Sequence, residues 1–302
     1  MAVNLSAERN LLLPGLMEVT GEYQQIPTQW SKFLDKRTSL MSQERVAEER
    51  YLGLGALKAQ GAPVEFDNAA GDRYVYNLVP FVIGLGYAIT QEAIEDNLYK
   101  AKFNPTNLGL QRSFAQTKEI LAANLLNTGD TYNSTIGGDG KAMIADDHPV
   151  DGNTFANTPV GAQVALNEAS LENAAIQIRY FLDQAGLRIM ARPQKLLVPP
   201  QQRYVAIRLM ETELRPGTAN NDINAVRYTG EFQGFDVLDF LTSSYAWFVK
   251  TSIDGMVMLQ RREFDIDMQV DFYTKSLLTT ATERYCPAYF DPRAVWGSFP
   301  SN

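Results

Sequence analysis

The sequence has very few of the residues on which covalent and metal chemistry depends. Its 302 residues contain one cysteine and one histidine, which excludes a disulfide scaffold and a Cys/His zinc site. The longest apolar run, residues 81–89, is far shorter than the roughly 20 residues that a membrane-spanning helix needs. The apolar patch at residues 11–13 has no basic region before it and no small-residue cleavage site after it, so no secretory signal is predicted.

Positive charge is also scarce. There are 27 Lys and Arg residues against 35 Asp and Glu, a net charge of −8, and the densest basic cluster, residues 32–37, is interrupted by Asp35. Nucleic-acid binding depends on neutralising phosphates, so this balance argues against a surface that grips DNA or RNA. Apolar residues at 45% and aromatic residues at 11% exclude a disordered chain and predict a sizeable core.

Motifs for nucleotide binding and nucleophilic catalysis fail at defined positions. The pair Gly84 and Gly86 has Ile89 where a dinucleotide fingerprint needs its third glycine, and Lys141 is followed by Ala142 rather than Ser or Thr. Cys286 and His148 are the only members available for a Cys/His pair, and no G-x-S-x-G is present. We therefore expect a protein that is not an enzyme and has no cofactor.

Two acidic groups leave a cation site as an open alternative. The first alternates along residues 263–271, and the second lies in the glycine-rich loop at residues 139–147. Hard cations bind several oxygens, but alternating carboxylates on a strand are typical of a solvated face or of one that meets basic residues of a neighbour. We expect no metal.

The first 88 residues predict two segments that need an outside surface. Residues 1–48 carry Trp30 and Phe33 without a sustained helical or strand period, which favours an arm laid across another surface. Residues 49–88 predict a long hairpin with arms at 51–66 and 73–79, the second continuing through 81–89. A two-stranded hairpin is marginal alone in water.

A helix is predicted over residues 90–128, with Thr90 as its N-cap and a break or kink at Asn104–Pro105. Its apolar stripe is Leu110, Phe114, Leu121 and Leu125, and Gly129 suits the position after its end.

The second half alternates loops, helices and short strands. Residues 130–165 predict loops, and a helix from Asn167 to Gly186 follows. A strand at 195–199 precedes a helix from Pro200 with Tyr204, Ile207 and Met210 near one face. Strands are predicted at 237–240, 246–250 and 263–272, the last with one buried face that includes Phe264 and Phe272.

Several stretches, in order along the chain, resemble the major capsid proteins of tailed bacteriophages, including Mu-like major head subunits. They are residues 26–30, 87–99, 116–119, 138–141, 147–149, 196–200, 224–226, 247–250 and 291–298. The resemblance implies an α+β fold of the Hong Kong 97 type with an N-terminal arm (1–48), an extended loop (49–88) and a peripheral domain with a spine helix (89–130). An axial domain (131–245) and a peripheral β return (246–302) complete it.

The resemblance also implies partners. The subunit would assemble with itself into pentamers and hexamers, together with a scaffolding protein, a portal and a possible decoration protein. The shell would enclose DNA without sequence-specific binding, involve no membrane, belong to the virion and assemble in the cytoplasm of a host bacterium. The candidate inter-subunit contacts are Trp30, Phe33, Lys58, Phe66, Arg73, Tyr74, Tyr76, Glu263, Asp265 and Asp267.

Some relatives cross-link an extended-loop lysine to a neighbour. Lys58 is the only lysine in the predicted hairpin, and no partner Asn or catalytic Glu aligns with it, so we expect no cross-link. We also expect a separate scaffolding protein and no maturation cleavage.

Three alternatives remain open at this point. The same fold also forms encapsulins, the shells of bacterial compartments, and packaged DNA would distinguish the two. A Cys/His hydrolase would depend on Cys286. A sheath or adhesin-like tail component would form rings or tubes instead of closed shells.

Overall fold

A computed structural model describes residues 27–95, 99–214 and 222–300. Its strands are β1 Asp35–Thr38, β2 Glu44–Arg50, β3 Gly71–Leu78, β4 Phe81–Ile89, β5 His148–Val150, β6 Asn153–Phe155, β7 Pro193–Val198, β8 Phe235–Val237, β9 Trp247–Thr251, β10 Met256–Val270, β11 Leu277–Tyr289 and β12 Val295–Ser298. Its α-helices are α1 Gln91–Glu95, α2 Tyr99–Asn127, α3 Glu168–Arg179, α4 Arg203–Met210 and α5 Ala225–Thr229. Short 3-10 turns are Trp30–Lys32, Pro200–Gln202 and Pro292–Ala294.

One sheet is built around a long hairpin, in the order β1-β10-β11-β4. Strands β10 and β11 pair antiparallel from Met256↔Tyr289 to Val270↔Leu277. The predicted alternation is confirmed over residues 263–270, where the carboxylates are exposed and the apolar side chains are at least half-buried. Strand β10 ends at Val270, so Phe272 is 76% exposed and its predicted burial is wrong.

A second sheet has the order β12-β9-β7-β8. Strand β7 is parallel to β8 and antiparallel to β9, which also pairs with β12. The predicted strands at 195–199 and 246–250 are confirmed to within two residues, whereas the one at 237–240 lies earlier, at β8. Trp247 and Trp296 are fully buried between this sheet and α3, with ring centroids 4.8 Å apart.

The long helix α2 is continuous through Asn104 and Pro105, so of the predicted break or kink the break does not occur. Proline removes one backbone hydrogen bond, but the helix is held further along by its buried face of Leu110, Phe114, Ala122 and Leu126. The Thr90 hydroxyl accepts from the Ala93 amide at 3.4 Å, as predicted for an N-cap, at the start of the short helix α1.

Helix α3 begins where the sequence predicts and ends earlier. Asn167 and Ser170 form a capping box at its start. The helix ends at Arg179 rather than near Gly186, because Asp183 accepts the amides of Ala185 and Leu187 and closes a tight turn.

The second predicted helix of this region starts with the 3-10 turn at Pro200 and continues as α4. Its buried residues are Ala206 and Leu209. Of the three residues predicted near one face, Ile207 and Met210 are of intermediate exposure and Tyr204 is 70% exposed.

The predicted hairpin pairs differently. Strand β3 pairs with β2, from Glu44↔Leu78 to Arg50↔Gly71, and β4 joins the first sheet through β11. Residues 51–70 contain no strand, so the predicted arm at 51–66 is wrong. Glycines and Pro63 make this stretch a poor strand, and the register of β2 is set instead by Val46, which packs on the core.

The main core contains the described end of the predicted arm. Phe33 and Leu34 are 1% exposed and lie in one cluster with residues of α2, β7, β10 and β11. Trp30 belongs to the same cluster. The prediction that Trp30 and Phe33 need another chain to cover them is therefore wrong, while residues 1–26 lie outside the described residues.

Candidate assembly surface

Residues 51–70, the part of the predicted extended loop that joins β2 to β3, are called the extended loop from here on. They carry six exposed large apolar side chains, and one of these, Leu57, is the most exposed large apolar side chain of the described residues. Leu54 and Phe66 are each 85% exposed and Leu57 is 105% exposed. Tyr51, Leu52 and Val64 are more than half exposed as well. Scattered exposed apolar residues are ordinary, but a run of them on one segment marks a binding surface.

The base of the extended loop is closed by ion pairs. Asp67 accepts the amides of Gly53 and Ala69 at 2.8 and 2.9 Å and pairs with Arg50 at 3.2 Å. These backbone hydrogen bonds, followed by Arg50, hold the pKa of Asp67 below its usual range. Arg50 also binds Asp151 at 2.9 Å. The loop therefore leaves and returns to the subunit at a fixed point.

The strand before the loop is anchored by a buried ionic cluster. Glu48 on β2 binds Arg293, whose side chain is 3% exposed, and accepts from Gln184 at 2.7 Å. Arg293 also pairs with Asp291 at 3.1 Å and donates to the Leu182 carbonyl at 2.6 Å. Burial raises the pKa of Asp291 even beside this guanidinium. The cluster fastens β2 to the segment that precedes β12.

The strand after the loop is fastened by backbone contacts. The Asn77 amide donates to Ile136 at 2.7 Å and the Gly138 amide donates to Val75 at 3.1 Å. Gly138 has φ +95°, and an added Cβ would lie 2.2 Å from the Tyr76 ring. Tyr76 is fully buried, and burial raises the pKa of its hydroxyl. Its predicted exposure to a neighbouring chain is wrong.

Helix α2 holds both the arm and the first sheet through adjacent residues. Glu119 accepts the amides of Gln29 and Trp30 at 2.7 and 2.9 Å, and burial raises its pKa. Lys118 binds Glu283 on β11 and donates to Gln260 on β10 at 3.0 Å. These contacts are why the arm segment packs on its own subunit.

The hairpin β10–β11 presents a second exposed surface. Glu263 pairs with Lys36 of its own subunit at 3.0 Å, whereas Asp265 and Asp267 are exposed on the same face. At the tip, Phe272 and Tyr273 are 76% and 90% exposed. The tip turn is closed by Asp271, which accepts the Thr274 hydroxyl at 2.6 Å.

The predicted contact residues thus fall into three groups. Lys58, Phe66, Asp265 and Asp267 are exposed; Arg73, Tyr74 and the paired Glu263 are intermediate or already bonded; Trp30, Phe33 and Tyr76 are buried. Sequence reasoning missed Leu54, Leu57 and Tyr273. The sequence places Leu54 and Leu57 among glycines and Tyr273 at a turn, where no strand face can cover an apolar side chain, and this pattern could have identified them.

A Cys/His hydrolytic pair finds no support in this geometry. Both ring nitrogens of His148 are occupied, by Asp139 at 2.6 Å and Asn157 at 3.3 Å. Burial raises the pKa of the Cys286 thiol to about 11, which disfavours the reactive thiolate. Among the described residues no group of three or more His, Cys, Asp or Glu could hold a metal ion, and no helix could cross a membrane.

The fold is of the Hong Kong 97 type, which solved capsid structures share. Residues 80–297 match the family model described as phage capsid protein, and the chain belongs to that family. The chain is thus a phage capsid protein.

Solved structures agree with this fold. The capsid of an empty GTA particle is 11% identical, with a TM-score of 0.55 over 91% of this chain and 92% of that one. A virus-like particle from Pyrococcus furiosus is 7% identical, with a TM-score of 0.54 over 94% and 98%. The chain of Mycobacterium phage Che8 is 12% identical, with a TM-score of 0.52 over 89% and 90%.

The chain spans 64% of the length of the bacteriophage JBD30 capsid chain, at 11% identity and a TM-score of 0.49. The comparison with curated protein sequences gave no match.

Proposed function

We propose that this capsid protein builds an icosahedral tailed-phage shell from pentamers and hexamers, in which the extended loop of each subunit binds the surface of an adjacent subunit. The observation that carries the proposal is the exposure of Leu54, Leu57 and Phe66 on a loop whose base is locked by Arg50 and Asp67. A locked base sets the direction of the loop, and its apolar side chains gain free energy only when a surface covers them.

Covering these side chains would stabilise an obligate contact between subunits. Interfaces of permanent assemblies bury more than about 2,000 Å², and apolar burial contributes about 25 cal/mol per Å² before ordering costs. A heterologous contact forms a ring when the rotation between neighbouring subunits closes, and such a ring is the geometry of a capsomer. Lys58, Asp265 and Asp267 are proposed contacts on the same grounds of exposure, whereas Arg73 and Tyr74 are of intermediate exposure and stay predicted contacts.

The enclosed genome is proposed to be held without specific binding. With a net charge of −8 per subunit, the shell repels DNA at distances within roughly 10 Å at ordinary ionic strength. A scaffolding protein, a portal and a decoration protein belong to the same proposal, as does assembly in the bacterial cytoplasm. The division into arm, extended loop, peripheral and axial parts stays a prediction.

The encapsulin alternative shares the fold, as the virus-like particle from Pyrococcus furiosus is similar over most of the chain. The phage capsid family match supports the viral reading. Packaged DNA in purified particles would support it further, and particles that hold only protein cargo would favour the alternative.

The loop proposal is tested by single changes Leu54→Ser, Leu57→Ser and Phe66→Ser, with Gln60→Ser at the exposed loop tip as the matched control. Particles are counted by electron microscopy and sedimentation, and thermal unfolding of the unassembled subunit reports folding. We expect the apolar changes to reduce particle yield strongly without moving the subunit's unfolding midpoint, and Gln60→Ser to change neither. Full particle yield from all three apolar variants would contradict the proposal.

A further inference from the structure

The only histidine of the chain is fully buried between two hydrogen-bond acceptors. His148 on β5 places Nδ1 2.6 Å from the Asp139 carboxylate and Nε2 3.3 Å from Oδ1 of Asn157. Its ring stacks on Phe155, with centroids 4.8 Å apart. A neutral imidazole has one donor and one acceptor nitrogen, so it satisfies only one of these neighbours.

The orientation of the Asn157 amide is fixed independently of the histidine. Its Nδ2 donates to the carbonyls of Met143, Pro292 and Val295 at 2.8, 2.8 and 3.1 Å. Its Oδ1 accepts the Ala145 amide at 2.8 Å. Turning the amide over would set its oxygen against three carbonyls and its NH₂ against an N–H, so Oδ1 must face the imidazole.

The partner at Nδ1 is an ionised carboxylate. Burial opposes ionisation of Asp139, but its hydrogen bond with His148, the charge of that ring and the Lys141 amide together hold its pKa below the usual range. A separation of 2.6 Å is typical of a charge-assisted hydrogen bond. Both ring nitrogens therefore face acceptors whose identity is fixed by other contacts.

We propose that His148 carries a proton on both ring nitrogens in the folded subunit and acts as a proton-held clamp. The clamp joins the loop of residues 130–157 to residues 292–295, which lead into β12, through Asn157. The same loop holds β3 after the extended loop, through the bonds at Asn77 and Gly138. Removing one proton leaves two acceptors face to face, which weakens this chain of contacts.

The surrounding charges are consistent with a second buried cation. The carboxylates of Glu48, Asp139 and Asp291, whose side chains are 11%, 6% and 22% exposed, all lie close enough to Tyr76 to raise the pKa of its hydroxyl, and Arg293 supplies one positive charge. The guanidinium of Arg293 lies 4.5 Å from the centroid of Phe155, the ring on which His148 stacks. The charged and titratable groups that face the site from neighbouring elements are Glu48, Tyr76, Asp139, Lys141, Asp147, Tyr289, Asp291 and Arg293.

Nuclear magnetic resonance of the full chain labelled with ¹⁵N-histidine tests the assignment, because one residue gives all the signals. At about pH 7.5, where free histidine is mainly neutral, we expect two protonated ring nitrogens, each with its own directly bonded proton. A wild-type spectrum with one unprotonated ring nitrogen would overturn the proposal, and this result needs no variant.

Variants test the clamp. Asp139→Asn keeps the shape of the side chain but removes its charge, and we expect the His148 ring to carry only one proton in this variant. Asp147→Asn, which changes an exposed carboxylate of the same loop, should leave both ring protons in place. Hydrogen exchange at Asn77 and Gly138, relative to the intrinsic rate, should be about tenfold faster in His148→Gln than in the wild-type chain. Equal exchange rates at these two amides in His148→Gln and in the wild type would show that the imidazole is not the clamp.

Discussion

Replacing Glu48 with glutamine removes one charge from the cluster that anchors the strand leading into the extended loop. The Glu48 carboxylate binds Arg293, which is 3% exposed, and the guanidinium keeps only Asp291 as a charged partner once Glu48 is gone. Breaking a buried ion pair from one side costs about 3–5 kcal/mol. Because Asp291 still neutralises part of the charge, we expect about 3 kcal/mol.

The adjacent residue gives a matched control. Glu49 lies on the same strand with its side chain exposed, so Glu49→Gln makes the same chemical change without loss of a buried partner. Surface changes of this kind stay within about 0.5 kcal/mol.

Urea unfolding of the unassembled subunit measures both variants. A loss of about 3 kcal/mol lowers the midpoint by about 1 M at an m-value of about 3 kcal/mol per M. If Glu48→Gln unfolds at the same urea concentration as Glu49→Gln, the buried cluster does not anchor β2 and the reasoning is refuted.

Three further changes test other parts of the account by unfolding of the subunit. Gly138→Ala should lower the free energy of unfolding by more than about 3 kcal/mol, because the added methyl group clashes with Tyr76 and the backbone is left-handed. Gly140→Ala, at φ +82° with open space around it, should lower the free energy of unfolding by only about 1 kcal/mol. Equal losses in the two variants would refute the clash. Lys118→Met should lower the free energy of unfolding by about 3 kcal/mol, because it leaves the buried Glu283 without its ion-pair partner. The double variant Lys118→Met with Glu283→Leu should recover most of this loss. If the effects of the two single changes simply add in the double variant, the pairing is contradicted. The pKa of Asp139 is lower in the folded subunit than in the unfolded chain, so its contribution to stability is present above about pH 4 and is lost as the pH falls through the folded pKa. The difference in free energy of unfolding between wild type and Asp139→Asn should therefore shrink in acid. A difference that does not change with pH would contradict this contribution of Asp139.

Much of the secondary structure could be predicted because its signals are local. The alternation over residues 263–270 and the Asn167 cap specify a strand face and a helix start without any distant partner. The capsid fold was also accessible, since the resemblance is spread along the chain and the matched family covers residues 80–297.

The pairing of the hairpin could not be predicted, because it depends on distant residues. Strand β2 is mostly charged, and its position is fixed by contacts such as Glu48 to Arg293, 245 positions along the chain. The burial of Trp30 depends likewise on Glu119, 89 positions away. No local pattern in either strand or arm reports such a partner.

The sequence predicted that an exposed apolar segment exists but assigned it partly to the wrong residues. Sequence reasoning found an apolar segment without cover, and the structure confines it to the extended loop and the tip at Phe272 and Tyr273. The strand period assigned to residues 263–272 hid the tip, because β10 ends two residues earlier.

Electron cryomicroscopy of the purified, assembled protein shows directly what covers the extended loop. We expect closed shells in which Leu54, Leu57 and Phe66 of each subunit are covered by an adjacent subunit, while Arg50 and Asp67 keep the loop base closed. Closed shells in which the extended loop folds back on its own subunit, or particles whose subunit contacts leave these three side chains in solvent, would contradict it.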